Sequence, residues 1–179
     1  IRHSLFQTIS IATTTGYSSQ SYSEWPAAIP VFLIMMSFIG ACVGSTGGGI
    51  KVIRILVMFR LGMKEINKFI RPNAQVSVKL NGASINEKAL VSVLGFFSLY
   101  AITFFLILML LMFAGLDQVT AYSATAATMN NLGPGLGEVA QNYGSLGDTA
   151  KWILSFSMLV GRLEVLTIIA IFHRAFWRQ

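Results

Sequence analysis

The chain has 179 residues, 54% of them hydrophobic and only 11% charged, with a formal net charge of +6. A soluble globule carries about 25% charged residues, so this composition excludes one and places the chain in a bilayer. Eight of the thirteen basic residues fall between Lys51 and Lys88; Lys and Arg clustered beside apolar runs mark a cytoplasmic membrane face and argue against nucleic acid as the partner.

Leu5 to Thr13 is too short to cross about 30 Å of hydrocarbon and too polar to face lipid, which predicts a re-entrant helix buried in protein. The string Thr13-Thr14-Thr15-Gly16-Tyr17-Ser18 follows. It resembles the potassium-channel filter string TVGYG, whose backbone carbonyls replace the hydration shell of an ion. Gly16 opens backbone conformations closed to other residues, so that successive carbonyls can point at one axis. Taken alone the string reads as a turn after a helix; its position between a re-entrant segment and a spanning run favours the filter.

Trp25 is expected to open the next helix from the membrane interface, and Ala27 to Val43 is apolar. Gly44, Ser45, Thr46, Gly47, Gly48 and Gly49 then precede an apolar, basic segment from Ile50 to Leu61. A phosphate-binding loop needs Lys directly after its second Gly, and Ile50 stands there, so a nucleotide site is excluded. Small residues at membrane depth leave backbone groups without helical partners, which is tolerated only against protein or a water-filled cavity. A loop across an aqueous path is the functional reading of 44–49, and a packing kink is the structural one. Residues 62–88 read as a cytoplasmic linker. Within it Val76 to Leu80 and Ala83 to Ile85 alternate around Asn81-Gly82, predicting a small β-hairpin that is either a solvated connector or a docking element for a cytosolic partner.

Ala89 to Leu116 carries no charge over 28 residues and is expected as a full transmembrane helix. Residues 117–129 repeat the short pattern rich in Ala, Ser and Thr, predicting a second pore helix. Asn130-Asn131-Leu132-Gly133-Pro134-Gly135 forms the second loop. A last helix, opened by Trp152, is expected over 152–177, with Arg162 and Glu164 in its middle. Arg162 costs about 2.5–3.5 kcal/mol at that depth, so it should face a pore or a partner. Arg162 and Glu164, two residues apart on a helix, do not face each other. That weakens an ion pair with Glu164 as the structural reading for Arg162, beside another buried acid; the functional reading is donation to the exposed carbonyls of the glycine-rich loop. The acids Glu24, Asp117, Glu138 and Asp148 fall opposite the basic clusters, where they attract cations. No nucleophile with its base, and no His or Cys ligand set, can be assembled, so neither an enzyme nor a resident metal or cofactor is expected.

Together TTTGYSS, GSTGGGIKV, NNLGPGLG and the Arg of the last helix resemble, in that order, the third and fourth pore units of the TrkH/KtrB/HKT superfamily of potassium transporters, over essentially the whole chain. The resemblance implies an all-α polytopic membrane protein of repeated membrane helix, re-entrant pore loop, membrane helix units of potassium-channel type. Its third unit would occupy 1–61, without a first helix, and its fourth 89–179. Carbonyls around Thr14, Thr15, Gly16 and Tyr17, and around Asn131, Leu132, Gly133 and Pro134, would then bind potassium as substrate. Gly44 to Gly49 would be an intramembrane gating loop, and Arg162 would help to hold it closed. Proteins of this superfamily work as homodimers in the bacterial inner membrane with a cytosolic nucleotide-binding regulatory ring of TrkA or KtrA type. The N-terminal half of the same polypeptide is expected to complete the pore. The alternatives are a sodium-conducting relative, against which Gly16 argues, and a non-conducting scaffold docking a cytosolic protein on Lys51 to Lys88.

Overall fold

The computed structural model describes residues 1–26, 28–39, 48–72, 78–80, 83–172 and 174–177. The Gly44 to Gly47 part of the expected gating loop and the Asn81-Gly82 turn lie outside the described residues. The first helix, α1 (Arg2–Ala12), buries Gln7, Ser10 and Ile11 and leaves Leu5, Phe6 and Ile9 exposed. A 3-10 turn at Tyr22–Glu24 ends on Trp25, and α2 (Ile29–Ser37) begins beyond it with Pro in its first turn, where the fixed φ suits a helix. Trp25 therefore precedes the helix instead of opening it.

The helix after the glycine-rich segment, α3 (Val52–Ile70), runs past Leu61, where the linker was expected to start. The reason is periodic: Leu56, Phe59, Met63, Ile66 and Ile70 keep the three-and-four spacing of one helical face well beyond Leu61. The linker shrinks accordingly to the stretch around a short antiparallel hairpin, β1 (Lys79–Leu80) with β2 (Ala83–Ser84), in which Lys79 pairs with Ser84. Val78 packs with Val57 of α3 and with Leu90, and Arg60 donates to the Lys79 carbonyl, so the hairpin is fastened to the helices on both sides of it.

Among the described residues one helix is long and apolar enough to cross a membrane: α4 (Glu87–Phe113), with a mean hydropathy of 2.5 in its best window. Asn86 caps it by accepting from the Lys88 N–H, and Gly115 at φ 96 closes it, with Leu116 N–H returned to the Leu111 carbonyl at 3.2 Å. Its buried stripe is Phe96, Tyr100, Phe104, Ile107 and Leu111; Ile102, Phe105, Leu106 and Met109 face outward.

Against that stripe lies α5 (Gln118–Met129), the most enclosed element, buried from Thr120 to Met129 except at Tyr122, which is half-buried. A helix so rich in hydroxyls survives burial because its buried hydroxyls find partners: Thr125 bonds the Ala121 carbonyl, Thr128 the Ala124 carbonyl, Ser123 the Leu136 carbonyl, and Thr120 Oγ1 accepts from the Glu138 N–H. The last helix is two pieces, α6 (Asp148–Leu163) and α7 (Val165–Phe172), followed by a 3-10 turn at Arg174–Trp177. This corrects the single helix expected over 152–177. Gly147 precedes the true start, and Asp148 in the first turn suits the positive helix end, which leaves Trp152 inside the helix. Glu164 sits at φ 64 and breaks the helical run.

Candidate ion pathway

The short helices α1 and α5 end in the same turn, built from different residues. At the end of α1, Thr13 has φ −90, Thr14 has φ 52 and Gly16 has φ 81; at the end of α5, Asn130 has φ −85, Asn131 has φ 54 and Gly133 has φ 104. The hydrogen bonds match too. Thr14 N–H returns to Ile11 at 3.1 Å and Thr15 N–H to Ser10 at 2.9 Å, while Asn131 N–H returns to Thr128 at 3.1 Å and Leu132 N–H to Ala127 at 2.8 Å. This double closure is the Schellman motif, which normally takes Gly at its left-handed position. Asn131 tolerates that conformation, but Thr14 is β-branched and held there at a cost of about 1–3 kcal/mol. Alternation of left-handed residues with ordinary ones turns successive peptide planes toward one side, as a row of carbonyls around an ion requires.

The eight residues expected to line the path divide into two sets. Among the described residues, none donates a hydrogen bond to the carbonyls of Thr14, Thr15, Gly16, Asn131 or Leu132. The carbonyls of the outer three are engaged: Tyr17 accepts from Ser10 Oγ at 2.6 Å, Gly133 from Tyr143 Oη at 2.6 Å, and Pro134 from Tyr22 Oη at 3.0 Å. Burial pushes the Tyr143 hydroxyl up to about 12 and raises that of Tyr22 as well, so both remain protonated donors at any physiological pH. A cavity of about 640 Å³ opens outside the loops, lined among others by Gly16, Tyr17, Gly133, Pro134 and Tyr143.

The two loops touch. A Cβ at Gly16 would run into the carbonyl oxygen of Leu132 and approach Pro134, so this position excludes a side chain both by its φ and by its neighbour.

Of the expected gating segment, Gly48 and Gly49 lie directly against the base of the second loop. A Cβ on Gly48 would meet the Asn130 carbonyl, and one on Gly49 would come within 3.2 Å of Asn130 Oδ1. Ile50 N–H bonds the Phe38 carbonyl at 2.9 Å, closing the segment at its neck. Asn130 itself is fully buried: its Oδ1 accepts from Tyr100 Oη at 2.8 Å, and its Nδ2 donates to Ser37 Oγ at 2.8 Å. One amide thus ties α4, the end of α2 and the second loop together.

Arg162 is exposed in the last turn of α6, and among the described residues none accepts a hydrogen bond from it. Its neighbour Gly161 packs so closely on α5 that a Cβ would strike the Met129 carbonyl. Glu164, not Arg162, makes the ion pairs: Lys51 Nζ lies 2.6 Å from its Oε1 and Arg54 Nη2 lies 2.9 Å from its Oε2. The Arg54 guanidinium also stacks over Phe96, 3.9 Å from the ring centre.

Sequence reasoning missed Tyr22, Tyr143 and Gly161, and it placed Asn130 in the second loop without the tying role of its amide. Tyr22 and Tyr143 each follow a glycine loop within a polar stretch, which was the available signal; for Asn130 and Gly161 a single sequence offered none.

Residues 1–178 match the TrkH family, described as a cation transport protein. The chain is 49% identical over 179 residues to the Trk system potassium uptake protein TrkH of Halomonas elongata, covering 100% of this chain and 37% of that protein. It is 46% identical over 179 residues to the protein of the same name in Escherichia coli K12, again across 37% of that relative. The crystal structure of the potassium transporter TrkH from Vibrio parahaemolyticus superposes with a TM-score of 0.91 at 46% identity, over 98% of this chain and 38% of that one. The chain therefore spans well under half the length of the relatives it matches, and the all-α membrane architecture expected from the sequence is borne out.

Proposed function

Because the chain belongs to the TrkH family of cation transport proteins, we propose that it forms half of a gated, channel-like path for potassium uptake across the bacterial inner membrane, the other half coming from the N-terminal part of the same polypeptide. The family is one of transporters and not of enzymes. Supporting the path most directly is the pair of identical turns at Thr14 to Gly16 and Asn131 to Gly133, with Gly16 seated on the Leu132 carbonyl. Carbonyls of Thr14, Thr15, Gly16, Asn131 and Leu132 take the place of water around a dehydrated potassium ion; Tyr17, Gly133 and Pro134 contribute their remaining lone pairs nearer the outer mouth. Gly44 to Gly49 forms the gate beneath, and Arg162 adds a positive charge that opposes cations while the gate is shut. In this reading the protein is a homodimer, regulated by a cytosolic nucleotide-binding ring of TrkA or KtrA type.

The test is potassium and sodium flux into proteoliposomes holding the full-length parent protein, with wild type compared to Gly16→Ser. Potassium-selective flux that loses discrimination in the variant is the expected result. Sodium flux in the wild type would change the ion, and absence of flux with or without the regulator would leave a non-conducting scaffold.

A further inference from the structure

We propose that Tyr22 and Tyr143 are positioning residues that set the cation specificity of the path, because their hydroxyls fix the outer carbonyls of the second loop. This rests on the reading of the two loops as a potassium filter.

The argument comes from comparing the repeats position by position. In the first loop the Tyr17 carbonyl is held by Ser10, from the pore helix that leads into the loop, at 2.6 Å. The matching turns place Ala127 where Ser10 stands and Pro134 where Tyr17 stands. Ala127 has no hydroxyl, so the second pore helix cannot hold its own loop in this way. Tyr22 supplies the missing donor from the other repeat, bonding the carbonyls of Pro134 at 3.0 Å and Gly135 at 2.9 Å. Tyr143 adds a donor to Gly133 at 2.6 Å.

The second loop needs this help. Gly133, at φ 104, has open space where a Cβ would lie, so no side chain limits how its peptide tilts. Potassium and sodium differ in radius by only a few tenths of an ångström, and a carbonyl ring able to contract by that amount serves both. Tyr22 is 2% exposed and its ring is packed in the core, which makes its hydroxyl a fixed anchor and not a mobile one.

Full-length protein in proteoliposomes is the test, with potassium and sodium flux and the thermal midpoint measured for wild type, Tyr22→Phe, Tyr143→Phe and the double variant Tyr22→Phe/Ala127→Ser. Each Phe variant removes a hydroxyl and keeps the ring. Discrimination should fall about fivefold for Tyr22→Phe, the equivalent of one ordinary hydrogen bond, with a fall in thermal midpoint no larger than the loss of that one bond accounts for. Ala127→Ser, which recreates the donor arrangement of the first repeat, should recover part of it. Unchanged discrimination in both Phe variants overturns the proposal. So does a loss that tracks a fall in thermal midpoint and is not recovered by Ala127→Ser, which is the mark of mere packing. A wild type that passes both cations alike sinks the potassium reading itself, and the brace with it; a selective wild type with selective Phe variants sinks the brace alone.

Discussion

Glu164 reaches back to Lys51, with the two charged groups 2.6 Å apart, and takes Arg54 on its second oxygen at 2.9 Å. Lys51 follows Gly48-Gly49-Ile50 directly, so the root of the glycine-rich segment is pinned to the break in the last helix. The carboxylate and its partners are only part-exposed, which makes these contacts stronger than an ordinary surface pair.

Glu164→Gln should therefore loosen that root. If the proposed filter and gate hold, the expected result is a loss of about 1–3 kcal/mol of stability together with a raised resting potassium flux and unchanged ion preference, since none of the proposed filter residues is touched. Flux and thermal midpoint on the same preparation check this, and a lower flux in folded protein would count against it.

Asn130→Ala removes the amide that pairs with Tyr100 and Ser37. The Tyr100 hydroxyl then loses its acceptor in a dry interior, at a cost of about 1–3 kcal/mol, while Ser37 Oγ loses a donor but still donates to the Ile34 carbonyl. Thermal unfolding in detergent should show a large drop for this variant, whereas Tyr100→Phe, which leaves only one acceptor short, should cost less.

Gly161 and Gly62 make opposite predictions from the same substitution. Ala at 161 forces α6 away from the Met129 carbonyl and should destabilise by about 1–3 kcal/mol. Ala at 62, in the middle of α3 with nothing near its Cβ, should stabilise by about 0.5–1 kcal/mol. Comparing the two thermal midpoints separates close packing from helix propensity.

Asp117 caps α5 and lies outside the membrane-spanning segments. Hydrogen bonds from Thr120, side chain first and backbone second, hold its carboxyl below the usual Asp range. A folded value below the unfolded one means that the stabilisation is complete above the ordinary carboxylate range and disappears as pH falls through the lowered value. Thermal midpoints should be flat from neutral pH down to about 5 and then decline below about 4. Asp117→Asn, which still caps but does not titrate, should lose the part of that decline due to this residue.

The short helices α1 and α5, the long apolar helix and both glycine loops were legible in the sequence, because each rests on local chemistry: length against bilayer thickness, charge against lipid, glycine against a left-handed turn. The register between the repeats was harder to see. Thr14 and Asn131 share a conformation but no chemistry, and the tryptophans that invited alignment do not correspond, since Trp25 precedes α2 and Trp152 lies inside α6. Tyr22 with Pro134, Tyr100 with Asn130 and Glu164 with Lys51 escaped notice for a common reason. Each joins residues far apart in the chain, and no periodicity or motif encodes a pairing that only packing creates.

The single bond from Ile50 N–H to the Phe38 carbonyl has a consequence for how such a protein can vary. That rung joins the residue after α2 to the residues leading into α3 and so fixes the spacing of the two helix ends. Because the bond is made by backbone groups, side-chain replacements at Phe38 and Ile50 leave it available, whereas proline at position 50, which has no N–H, removes it.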